Sequence, residues 1–274
     1  MTFKFPPLSI PRGTRIAALM TVSPKKSGKT TTLRVAANEF LDAGFELVIL
    51  QHDDHDLLDC YAPTTHLPLA RASQILRGKT MIDLKNHGAL SDALLSLADH
   101  PNWIVMLDGS APGSERISSI LNAGRFNKWL ADRNIFVMFL VPLRAIQDSA
   151  LGALSVMEEL QLVMSDHFII PVPICDPEDL DLLPRDHPFF RVMGAARHGV
   201  IHMPALSEDI AAGLERLKRP LSEVADPDSE EALAYIMQAS GHDRLVAGMI
   251  AEGAQQLITA FEGAIAPLEL APAP

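Results

Sequence analysis

Near its start the chain passes from an apolar stretch, Arg15 to Val22 (RIAALMTV), through a polar loop into KTTTLRVAANEFLDAG and then into FELVILQ, Phe45 to Gln51. That order reads as strand, loop, helix and strand. The middle piece sets Leu33, Ala36, Ala37, Phe40 and Leu41 at three-and-four spacing, and Gly44 stands where a C-terminal cap belongs. A βαβ unit results. Further apolar runs at Trp103 to Leu107, Ile135 to Val141 and Phe168 to Val172, with a weaker one at Val200 to Met203, extend the pattern. Helical repeats fill the gaps at Ala89 to Ala98, Ser114 to Leu130, Ile146 to Met164 and Ser207 to Leu217. Continuous apolar strands alternating with helices predict a mostly parallel sheet flanked by helices on both faces, an α/β/α sandwich of three layers. Pro171 and Pro173 push the fifth run toward an edge or a strand end.

The 274 residues, 48% of them apolar, suffice for one large α/β domain with a tail. The expected division is 1–224 for that domain and 225–274 for C-terminal helices and a tail, packed on the domain or on a partner. The extension begins at Asp228-Ser229-Glu230-Glu231, with acidic residues at the positive end of a helix. A second helix, about Asp243 to Glu262, carries Leu245, Met249, Leu257 and Phe261 on one stripe, with Ile250 and Ile258 beside it. Its polar side bears Asp243, Glu252 and Glu262, which favours packing over a membrane face.

The longest apolar run, Ile135 to Leu143, is about half the length of a membrane span. The N-terminus offers no secretory apolar stretch, so the cytoplasm is the expected location. Cys60 and Cys175 lack C-x-x-C spacing and read as structural thiols. A net charge of −11 and a pI near 5.3 disfavour a dedicated nucleic-acid or anionic-membrane binder. The basic stretches Arg191 to His198 and Arg216 to Arg219 read as solvated surface, and DNA binding stays open.

The loop between the first strand and helix reads VSPKKSGKTTT, Val22 to Thr32. Anion binding at such a turn uses helix-start amides, the helix dipole and a lysine. Gly28, Lys29 and Thr30 supply that inner part, with Ser27 before them: Lys29 would pair with β/γ-phosphate oxygens, the Thr30 hydroxyl would ligate Mg2+, and Thr31 would add an α-phosphate contact. The outer part departs from a glycine-rich loop, because Lys25 and Lys26 carry side chains that must point away from a nucleotide or meet its charge directly. Asp108 closes WIVML and is placed to hold the Mg2+ shell through water, followed by the glycine-containing turn GSAPGS, suited to sensing a γ-phosphate. QHDDHD, after the second strand, offers Asp53, Asp54 and Asp56, one of which would position water. Two other readings of this stretch are a solvated acidic turn and a His/Asp metal cluster through His52 and His55.

With these residues in view, the chain resembles the deviant Walker A ATPases of the ParA/MinD class, a branch of the P-loop NTPases. The family loop K-G-G-x-G-K-[ST]-T lies against Pro24-Lys25-Lys26-Ser27-Gly28-Lys29-Thr30-Thr31, matching in its last four positions. Of the family's D-x-D stretch only Asp53 matches, and Asp108-Gly109-Ser110-Ala111-Pro112 corresponds to its D-x-P motif. The run VIHMPALSEDIAAGLERLKRPLSEV is similar to the C-terminal part of TraL-like proteins of conjugative plasmid transfer. The family's signature lysine falls on Pro24, with Lys25 one position away.

The resemblance implies a cytoplasmic ATPase that binds ATP and Mg2+, forms a homodimer and serves plasmid maintenance, conjugative transfer or positioning of a complex, with a transfer or partition protein as partner. Lys29, Asp53 and Asp54 would be catalytic, and Thr30 with Asp108 would hold the metal. ATP rather than GTP is inherited from the resemblance, since IIPVPICDPEDL holds no N-K-x-D tetrapeptide. Replacement of the loop glycines leaves a degenerate binding module with little turnover as an alternative. A small-molecule kinase or ligase on the same scaffold is a third.

Overall fold

A computed structural model of the chain describes residues 3–23, 27–53, 55–69 and 85–270. Six parallel strands form one sheet: β1 (Arg15–Thr21), β2 (Glu46–Gln51), β3 (Thr64–His66), β4 (Trp103–Asp108), β5 (Ile135–Arg144) and β6 (Phe168–Ile174), in the order β3-β2-β4-β1-β5-β6. Side chains alternate across it, as strand geometry requires. Leu19, Ile104, Met106, Met138, Leu140 and Ile170 enter one hydrophobic cluster, while Met20, Val105, Leu107, Val137, Phe139 and Ile169 enter the other.

Helices complete each cluster. On the first face lie α1 (Lys29–Asp42), α7 (Glu208–Leu214), α8 (Glu230–Ser240) and α9 (Arg244–Ile265). The second is covered by α2 (Gly88–Ser96), α3 (Ala111–Ala123), α4 (Phe126–Ala131), α5 (Gln147–Val163) and α6 (Pro188–Ala195). The three-layer parallel architecture expected from the sequence is therefore present. No helix among the described residues is long and apolar enough to cross a membrane.

Several local expectations shift. The single helix expected over Ser114 to Leu130 is two, α3 and α4, because Arg125 takes φ 54° and the Phe126 ring folds over Gly124, where a Cβ would sit 2.3 Å from Phe126 Cε2. Val200 to Met203 forms only a bridge between Met203 and Ile174. β6 is the edge, and the amides of Ile201 and Met203 donate to the carbonyls of Pro171 and Pro173 at 3.1 and 3.0 Å. Since N and O of one strand residue face the same side, each proline's missing N–H lies on that outer side and costs no bond to β5.

In α9 the buried face is Ala247, Ile250, Ala251, Ala254, Leu257, Phe261 and Ile265. Leu245 and Met249 fall off it and are 76% and 46% exposed. The expected stripe therefore holds only in its C-terminal half. The basic stretch at Arg216 to Arg219 lies at the surface as expected, with Arg216 and Lys218 exposed, and its charges are also partnered: Arg216 donates to Ser240 O at 2.5 Å, Lys218 pairs with Asp56, and Arg219 lies 4.4 Å from the Tyr235 ring centre. Both cysteines are free thiols.

Where α1 meets α9, burial, then Glu262 and Asp42, push the Glu39 carboxyl up to about 7. A carboxyl raised in the folded state contributes stability below its unfolded value of 4.5 that is lost as pH rises through about 7. Urea unfolding should accordingly show Glu39→Gln to be more stable than the wild type at pH 8, by roughly 1 kcal/mol after solvent screening, with near parity at pH 4.5. Equal stability at pH 8 would show that neither burial nor the neighbouring carboxylates penalise the charged form of Glu39.

Candidate functional site

The chain leaves β1 toward β2 and leaves β4 toward β5, so a crevice opens at the carboxyl ends of the two adjacent central strands. Thr21 and Asp108, the last residues of β1 and β4, are register partners there. Beyond β1 the backbone turns at Gly28, whose φ of 86° favours glycine and where a Cβ would lie 2.7 Å from Ile174 Cδ1. The first backbone bond of α1 runs from Thr32 N–H to Gly28 O at 2.9 Å. The amides of Lys29, Thr30 and Thr31 precede it, at the positive end of a 14-residue helix.

Polar contacts pin this turn. The hydroxyls of Ser23 and Ser27 bond to each other across the loop. The Ser23 amide donates to Ser114 Oγ at 3.1 Å, and Ser114 Oγ donates to Ser110 O at 2.9 Å, which ties the loop to the start of α3. Lys29 Nζ donates to Ser23 O at 3.2 Å. Burial lowers the lysine pKa, and the carboxylates of Asp108 and Asp53 act against that. The ammonium thus faces the loop from within a partly buried, acidic setting.

Asp108 is 4% exposed and gathers three donors. Its Oδ1 accepts from Thr21 Oγ1 at 3.1 Å, and its Oδ2 from Thr30 Oγ1 at 2.6 Å. His55 Nε2 lies 3.2 Å from the same Oδ2. This hydrogen bond holds the His55 pKa above its usual range, against burial. Gln51 Nε2 donates to His55 O at 2.6 Å and keeps the turn after β2 folded toward Asp108. The Thr30 hydroxyl and Asp108 carboxylate are hard oxygen donors side by side, a set that fits Mg2+ and suits no soft metal.

A cavity of about 510 Å³ opens on these groups, within the range of small-ligand sites. Ser27 to Thr31 line it from the β1–α1 turn, Asp53 from the end of β2, Ser110 to Pro112 from the start of α3, and Glu215 from beyond α7. Two helix starts converge on it. Another cavity, of about 500 Å³, lies beside Leu154, Met157 and Ile169.

Of the residues singled out from the sequence, Ser27, Gly28, Lys29, Thr30, Thr31 and Asp53 line one cavity, and Asp108 is bonded to Thr30. Lys25, Lys26 and Asp54 lie outside the described residues. Asp56 points away, paired with the exposed Lys218. His52 and His55 face different partners, His87 and Asp108, and the described residues hold no group of three or more metal-ligating His, Cys, Asp or Glu. Sequence reasoning missed Thr21 and Glu215, named His55 only in the metal-cluster reading, and placed Ser110 and Ser114 only within the turn after Asp108. The histidines were visible in QHDDHD, but nothing in one sequence points His55 at a carboxylate 53 residues away.

The fold and the cavity define a layered α/β protein with a strand-to-helix turn at Gly28 opening on a cavity at its central strand ends. No family model and no curated protein matches the chain. Among solved structures it is similar to MinD of Aquifex aeolicus, seen in a cell-division complex with MinC, at a TM-score of 0.49 and 12% identity over 83% of this chain and 96% of that one. It is similar also to an ATP complex of a McdA variant from Cyanothece, at 0.42 and 14% over 84% and 98%. FtsY of Thermotoga maritima follows at 0.36 and 11% over 71% and 61%. At these identities and TM-scores the likenesses assign neither activity nor partner to this chain.

Proposed function

We propose that the chain binds Mg·ATP in the cavity between the β1–α1 turn and the start of α3, and hydrolyses it. The observation that carries this reading is the 2.6 Å bond between Thr30 and Asp108 beside the Lys29 ammonium, at the mouth of a cavity framed by two helix starts. The triphosphate would lie over the amides of Lys29 to Thr31, with Lys29 offsetting β/γ-phosphate charge. Thr30 and Asp108 would hold Mg2+, which supplies positive charge to the phosphates when bound. Asp53, lining the cavity, would orient the attacking water, with Asp54 as the other candidate. Lys25 and Lys26 would meet the phosphates from the outer loop.

The resemblance of the loop to ParA/MinD-class ATPases, and of Val200 to Val224 to TraL-like transfer proteins, supports a ParA/MinD-like cycle in a homodimer serving plasmid maintenance, conjugative transfer or positioning of a complex. Pro24 in place of the family lysine favours a second reading, a nucleotide-binding module with little turnover. Phosphate release by the full chain, with and without a transfer or partition partner, separates the two: turnover supports the ATPase, and silence despite tight ATP binding supports the module.

Asp108→Asn tests the metal half of the site. Removing the carboxylate charge should weaken Mg·ATP binding by about tenfold or more while leaving affinity for ATP in EDTA nearly unchanged. An equal loss with and without the ion would mean that Asp108 only braces Thr30.

A further inference from the structure

His52 stands directly after β2 and is 5% exposed. Its Nδ1 accepts the Ser110 amide at 3.3 Å, so the ring proton is on Nε2. That nitrogen in turn donates to Nε2 of His87 at 2.8 Å. His87 is fully buried and begins α2. Burial, with His87 beside it, pushes the His52 pKa down to about 4 and keeps the ring neutral at neutral pH. The α3 turn packs on this ring through Gly113, where a Cβ would lie 2.2 Å from Nδ1 and 2.5 Å from Cε1.

The other amides of that turn are also committed. Gly109 N–H donates to Thr21 O at 3.1 Å and Gly113 N–H to Ser110 Oγ at 3.1 Å, while Pro112 has none to give. Among the described residues, the Ala111 amide alone has no partner in this turn, and Ala111 lines the cavity. We propose that His52 is a positioning residue of the site: by holding the Ser110 amide on its Nδ1, it leaves the Ala111 amide to meet the terminal phosphate of a bound nucleoside triphosphate. The inference rests on the nucleotide reading above and adds to it a residue that never touches the ligand. It also implies selectivity for triphosphate over diphosphate, since only the former has a group to meet that donor.

Calorimetric titration of the full chain with Mg·ATP and with Mg·ADP tests this. In His52→Gln the side-chain amide reaches toward the Nε2 position and leaves Ser110 without its acceptor. In His52→Asn the carbonyl sits near Nδ1 and keeps it. A donor to a charged phosphate oxygen is worth about tenfold, so His52→Gln should lose about tenfold for ATP and less than about twofold for ADP, with His52→Asn restoring both to within about threefold. Parallel losses for ATP and ADP, or equal behaviour of the two variants, would overturn the proposal and leave His52 a packing residue. Should His52→Gln not fold, Gly113→Ala presses on the same ring and is expected to show the same selective loss, an unchanged ATP-to-ADP ratio counting against the proposal. A wild type that binds neither nucleotide defeats the site reading itself, a failure distinct from these.

Discussion

Lys29→Ala is expected to lower affinity for Mg·ATP by about a hundredfold or more, because it removes the partly buried ammonium that, under the proposal, would face the phosphates. The fold should tolerate the change. Lys29 Nζ donates to Ser23 O at 3.2 Å across the loop, whereas the helix start itself depends on Gly28 and Thr32. Stability should fall by less than about 1 kcal/mol, so lost binding with an unshifted unfolding midpoint is the expected pair of results. Lys29→Arg is expected to rescue little, since a planar fork does not reproduce a compact point charge in a loop already closed by the Ser23 and Ser27 hydroxyls. Calorimetry on the three proteins, with urea unfolding alongside, checks both halves; unaltered affinity in the alanine variant would place the nucleotide elsewhere.

The largest effect on stability is expected at Arg34, just over one helical turn beyond Lys29. Its side chain is 2% exposed, and its guanidinium donates to three carbonyls: Leu214 O at 2.8 Å, Leu217 O at 2.9 Å and Arg219 O at 3.1 Å. These carbonyls end α7 and the turn after it, where the helix dipole favours a cation. Around this anchor, Ser222 N–H donates to Asn38 Oδ1 at 3.0 Å and Leu221 N–H to the Tyr61 hydroxyl at 2.9 Å. The segment that places Glu215 at the cavity is thereby fastened along α1. Arg34→Ala would remove the donor shared by these carbonyls, leaving Leu214 O only the Leu217 N–H, at a cost of about 3–5 kcal/mol. Arg34→Lys should recover only part, because one ammonium lacks the fork that spans three acceptors. Denaturant unfolding of the variants gives the number directly. A loss below about 1 kcal/mol would mean that water replaces the guanidinium and that the segment is held by its apolar side chains alone.

What could be read from the sequence is what depends on local periodicity. The strand-loop-helix-strand order from Arg15 to Gln51 shows because apolar runs and a 3.6-residue repeat follow one another with a glycine after the helix, and Gly44 indeed takes φ 88°. Asp108 could be placed at a strand end because WIVML stops there. The helix break at Gly124 and Arg125 could not, since the apolar spacing continues across it and only the fold of Phe126 over the glycine decides the matter. β3 is three residues long and gives no periodic signal. Most of all, the sequence hid how the site is braced. Thr21, Ser110, Ser114, His52 and His55 act through partners 35 to 91 residues away, brought together by strand register and not by any motif. In α9, Leu245 and Met249 kept the helical spacing of the buried stripe yet lie outside it, because the core takes its smaller residues, Ala247, Ala251 and Ala254.

The central claim is that one strand-to-helix turn, Ser27 to Thr31, holds the phosphates of a nucleotide. Calorimetric titration of the wild-type chain with ATP, ADP and AMP in the presence of Mg2+ tests it most directly, since the nucleoside is constant and only the phosphates differ. Micromolar binding of ATP and ADP, with AMP weaker by about a hundredfold or more, is the expected result. AMP binding as tightly as ATP, or no heat with any of the three, would contradict it.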